Sequence, residues 1–87
     1  MTMDNLEKCF NTAKVLNQKY VGVQIAMEGF TKPEIIINES ENFDSKLAYY
    51  KKAYNEDLTL KAFNGIRIIG FTFGDNFSEI EEDLIGL

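Results

Sequence analysis

Apolar residues recur along this chain with two different periods, and the switches between them mark out its elements. Over residues 3–19, Leu6, Phe10, Ala13 and Leu16 fall at i, i+4, i+7 and i+10, with Cys9 widening the stripe. That spacing predicts an amphipathic helix with Lys8, Lys14 and Lys19 off its buried face. Thr2 or Asp4 is placed to cap its start, where unpaired amides need an oxygen acceptor. From Tyr20 the period drops to two: Val21, Val23, Ile25 and Met27 alternate with Gly22, Gln24, Ala26 and Glu28, a half-buried strand. Residues 29–33 read as a turn ending at Pro33, and residues 34–38 return as a second strand. Ile35 and Ile37 share one of its faces. Ile36 points the other way, so that face is either partly covered or leaves an isoleucine in water.

Helical spacing resumes at Phe43, Leu47, Tyr50 and Tyr54, with Asn42 or Asp44 as the N-cap. Residues 58–63 alternate again and lead into Asn64-Gly65, the pair favoured by a type I′ hairpin turn because both central residues need positive φ. Residues 66–73 return with a slip of phase: Ile66 and Ile68 lie on one face, Ile69, Phe71 and Phe73 on the other. A bulge near residues 68–70, where Gly70 suits it, restores the register; without one, this is a central strand buried on both faces. Gly74-Asp75-Asn76 reads as a turn. Phe77, Ile80 and Leu84 then mark a short helix, with Ser78-x-x-Glu81 as its capping box. The expected fold is a single α+β domain over residues 1–87 in the order αββαββ(α). It has a four-stranded, mainly antiparallel sheet with the two long helices packed on one face, and residues 75–87 form an acidic C-terminal segment. Its helical core is expected to rest on Phe10, Leu16, Leu47, Tyr50 and Tyr54.

Composition narrows the chemistry. The 87 residues are 45% hydrophobic and include seven Phe and four Tyr, enough for a folded domain with a thin core. No run approaches the ~18 apolar residues of a membrane span, and the N-terminus lacks the layout of a signal peptide, so a cytoplasmic protein that does not engage membranes is expected. One cysteine excludes an internal disulfide, and the absence of histidine removes the usual general base and zinc ligand. Cys9, on an apolar stripe, reads as a small buried hydrophobe. A calcium loop starting at Asp75 fails, because Phe77 takes a ligand place, Ile80 the glycine place and Gly86 the place of the final glutamate. No glycine-rich phosphate loop or nucleophile elbow is present, and no pair of carboxylates is singled out by spacing. The expectation is a non-enzyme without metal or cofactor.

Charge changes the picture most. Residues 1–67 carry nine acids and nine bases, whereas residues 68–87 carry Asp75, Glu79, Glu81, Glu82 and Asp83 and no base, so this end holds the whole net charge of −5. A neutral body with an acidic terminus points to a surface offered to a basic protein partner, with those five residues as the candidate partner-binding set. The competing reading is a solvated helix face that keeps the protein soluble. Direct nucleic-acid binding is disfavoured, because no basic run exceeds the pair Lys51-Lys52.

The stretches Ile35-Ile36-Ile37-Asn38-Glu39-Ser40-Glu41-Asn42-Phe43 and Lys46-Leu47-Ala48-Tyr49-Tyr50-Lys51 resemble small proteins encoded by phages and prophages of low-GC Gram-positive bacteria. The Ser-Glu-Asn linker, the size and the acidity are also similar to small anti-CRISPR proteins. That resemblance implies a mobile-element inhibitor of a basic, nucleic-acid-handling host protein. The alternative is a structural or assembly component that self-associates through a sheet edge or apolar face. Salt separates the two, since a charge-led complex weakens as ionic strength rises and an apolar one persists.

Overall fold

The computed structural model describes residues 1–86. Helix α1 spans Met3–Val15, strand β1 Tyr20–Met27 and strand β2 Glu34–Glu39. A single 3-10 turn, Ser40–Asn42, leads into α2, Phe43–Ala53; then come β3, Ile66–Gly74, and α3, Phe77–Ile85. The three strands form one antiparallel sheet in the order β2-β1-β3. The sheet therefore has three strands, where the alternation had suggested four.

The missing strand is residues 58–63. Leu58 is fully buried but sits at φ 70°, in the left-handed region that extended chain cannot use. It is held there by a tight turn in which Leu58 N–H donates to Asn55 O, Asn55 N–H donates to Thr59 O, and Asp57 Oδ1 accepts from the Thr59 hydroxyl at 2.6 Å. Two isolated bridges, Tyr54 with Leu60 and Thr59 with Arg67, are what remains of the pairing. The Asn64-Gly65 turn does form, with Ile66 N–H donating to Phe63 O at 3.1 Å. It is not type I′, since neither residue has positive φ. Without a two-stranded ribbon to continue, nothing demands the primed twist.

The bulge falls at the phase slip. Ile25 pairs with Ile68 and Gln24 with Gly70, which leaves Ile69 as the extra residue. It returns Ile66, Ile68, Phe71 and Phe73 to one face, opposite Met27, Ile25, Val23 and Val21. Helices α1 and α2 pack on that face over a core containing Leu6, Phe10, Val21, Val23, Phe43, Tyr50, Tyr54, Leu58 and Ile68. Phe10 meets Phe43 edge-on, with ring centroids 5.5 Å apart. The two helices run antiparallel, since Lys14 pairs with Asp44 at 2.6 Å and Lys51 with Glu7 at 3.1 Å. Of the expected core residues, Phe10, Tyr50 and Tyr54 are buried and Leu47 is half-buried, but Leu16 is 53% exposed. The reason is local. Gln18 N–H donates to Ala13 O and Asn17 N–H to Lys14 O, a Schellman motif with Asn17 at φ 59°, so α1 ends before its stripe reaches Leu16.

The second face of the sheet is covered too, by α3. Gly22, Gly70 and Gly74 lie beneath it: a Cβ on Gly22 would overlap Ile80 Cγ2, and one on Gly70 would stand 3.2 Å from Leu84 Cδ2. Three glycines give the floor that lets so short a helix sit close. Ile35 and Ile37 share this face with Gly22, while Ile36 shares the α1–α2 face with Val23, which answers where each isoleucine points.

Candidate interaction surface

The acidic segment is built on α3. The helix starts at Asn76, whose side-chain oxygen accepts from Glu79 N–H at 2.9 Å and whose side-chain nitrogen donates to Glu79 Oε1 at 3.0 Å. The cap is thus Asn76-x-x-Glu79, two residues before the expected Ser78-x-x-Glu81, and Ser78 lies inside the first turn. Gly86, at φ 81°, ends the helix. Ile80 is wholly buried against the glycine floor, and Leu84 is half-buried one turn on. Phe77 remains 55% exposed and packs on Tyr20, with ring centroids 5.1 Å apart.

All five acids are exposed, and their contacts within the chain differ. Asp75 Oδ1 accepts from Lys19 N–H at 3.2 Å, Glu79 closes the cap, and Asp83 Oδ2 accepts from the Thr72 hydroxyl at 2.9 Å. Asp75 and Asp83 fasten the α3 segment to the sheet, and Glu79 caps the helix. The side chains of Glu81 and Glu82 make no hydrogen bond among the described residues. With 100° between successive residues, Glu82 points almost directly away from Ile80 and Glu81 stands on the flank opposite Glu79. No ion pair reaches any of the five among the described residues.

The register adds acids that charge counting along the chain does not reveal. Tyr20 pairs with Glu39 on one side and Gly74 on the other, so the end of β2 lies beside the start of α3. Two shallow hollows flank Tyr20. One, of about 320 Å³, is lined by Lys19, Tyr20, Glu39, Ser40 and Glu41; the other, of about 250 Å³, by Tyr20, Asp75, Asn76, Phe77 and Ser78. The result is an aromatic pair ringed by Glu39, Glu41 and Asp75, with Lys19 as the neighbouring cation. Glu39 and Glu41 sit in the charge-neutral part of the sequence, so only strand pairing could have found them.

The rest of the surface is less specific. A larger hollow of about 480 Å³ at the far end of the sheet is open and mixed, with Glu28 and Arg67 both on its wall. Among the described residues, no three His, Cys, Asp or Glu side chains gather closely enough to hold a metal ion. Among the described residues, no helix is long and apolar enough to cross a membrane. Cys9 is half-buried on α1, and burial pushes its thiol up to about 11, which keeps it protonated and a poor nucleophile at neutral pH. Compared with known proteins, the chain matches no family, no curated protein and no solved structure.

Proposed function

We propose that this protein is a small acidic interaction module whose α3 end of the sheet is read by the basic surface of another protein, in the manner of a phage- or prophage-encoded inhibitor of a nucleic-acid-handling host protein. The observation that carries the reading is the aromatic pair Tyr20–Phe77 set among exposed carboxylates that, among the described residues, no lysine or arginine neutralises by an ion pair. An exposed phenyl ring beside acids suits the stem and charge of Arg or Lys, which can lie on the ring and reach a carboxylate at the same time. Glu81 and Glu82 extend the negative field outward without a structural duty, and so are suited to steering a cation into contact.

The test is association with a partner captured from host extract. Glu81→Gln and Glu82→Gln together should leave the fold unchanged, slow association and flatten its dependence on salt. Phe77→Ala should speed dissociation instead. A partner bound equally fast and with equal salt sensitivity by the Gln variant places the interface elsewhere.

A further inference from the structure

We infer that the outer edge of β2 is a self-pairing edge, through which two copies of this chain join their sheets into one of six strands. The edge shares Glu39 with the acidic surface but is otherwise separate from it. Its starting point is which main-chain groups β2 leaves open. Ser40 N–H donates to Lys19 O, and Glu28 N–H donates to Gly65 O. Given the registers Tyr20 with Glu39 and Ala26 with Arg67, ladder alternation turns the main-chain groups of Val21, Val23 and Ile25 toward β2. Their partners Asn38, Ile36 and Glu34 therefore bond inward. Ile35, Ile37 and Glu39 turn N–H and C=O outward, and among the described residues β2 pairs with no strand but β1.

The two edges of the sheet are treated differently. The β3 edge is blunted by the bulge at Ile69 and by residues 58–60, where Ile68 N–H donates to Leu58 O and Leu60 N–H to Ile66 O. Between Glu34 and Glu39, β2 has no lysine, proline, glycine or bulge, and its three isoleucines are only half-buried.

The occupant follows from register and charge. Only antiparallel registers that oppose outward-facing residues can form hydrogen bonds. The one centred on Ile36 sets Ile36 against Ile36 of the second copy and Ile35 against its Ile37. It also sets Glu34 against Asn38 and Glu39 against Pro33, so no two carboxylates oppose each other. Centring on Ile37 instead would press Glu39 onto Ile35. The acids of α3 lie over β3 and β1, away from this edge, so two copies meeting along β2 keep their strongest like charges apart.

Sedimentation equilibrium tests this directly. The parent should approach twice its 10.0 kDa mass as concentration rises toward about 1 mM. Ile37→Pro removes an outward N–H that β1 does not use, and should keep the fold but stay at the monomer mass. Ile36→Cys should form an intermolecular disulfide on mild oxidation, because opposed residues of a non-hydrogen-bonded pair lie within disulfide reach. Glu34→Cys, displaced from its own copy in that register, should not. A parent that stays monomeric at about 1 mM overturns the proposal and leaves the edge to a foreign strand. Faster cross-linking of Glu34→Cys than of Ile36→Cys overturns the register.

Discussion

Asn38 is the one buried polar side chain among the described residues, and its bonds decide its effect. Its amide donates to Val21 O at 3.0 Å and its oxygen accepts from the Tyr50 hydroxyl at 3.4 Å, which joins α2 to the sheet through the core. Tyr50→Phe should cost about 1–2 kcal/mol, read as a lower denaturant midpoint, because it strands a buried acceptor. Phe10→Ala should cost about 3–5 kcal/mol, a large part of what a domain of this size has, because the ring is fully enclosed. Gly22 acts by absence. Gly22→Val drives a side chain into Ile80, and at about 1–3 kcal/mol for overpacking should lift α3. Amide exchange should then accelerate in α3 and remain slow in α1.

At the scale of elements, pattern and structure agree where periodicity is long and part where turn geometry intervenes. Both long helices and the β1–β2 hairpin follow their apolar spacing, and the bulge lies where Ile68 and Ile69 break phase. Residues 58–63 alternate as a strand does but fail as one, because the Asn55–Thr59 turn sets Leu58 at positive φ. α3 depends on its cap as much as on its stripe. Asn76→Ala removes the acceptor for Glu79 N–H and should cost about 1 kcal/mol, appearing as lost helicity with the sheet retained. The ion pairs Lys14–Asp44 and Lys51–Glu7 are exposed and add little beyond helix direction.

For the molecule as a whole, burial of titratable groups makes stability sensitive to alkali. Burial raises Cys9 from 9.0 to about 11 and Tyr50 from 10.0 to about 12. Both groups are neutral when protonated and are held protonated by the fold, so their contribution is complete below the ordinary thiol value of 9.0 and is lost as pH climbs through 11 and 12. Tm should therefore hold level up to pH 9.0 and fall beyond it. The fall should start later and be shallower in Cys9→Ala. A Tm that is level through this range would mean that neither group is sheltered in the folded state.

The sequence alone determined the α+β class, most of the amphipathic faces of the helices, the β1–β2 hairpin, the phase slip at Ile68 and Ile69, and the concentration of charge at one end. These are local properties, set by side-chain period and by residues with special backbone freedom. Tertiary structure decided the rest. Three glycines far apart in the chain became one floor for α3, which no period announces. Glu39 and Glu41 joined the acidic end because Tyr20 pairs with both outer strands. Three of the five C-terminal acids were taken up as a cap and as fastenings, leaving Glu81 and Glu82 unengaged. The physical reason is that contacts between distant segments depend on register and layer order, and in this chain those were set by a turn at Leu58 and a missing Cβ at Gly22.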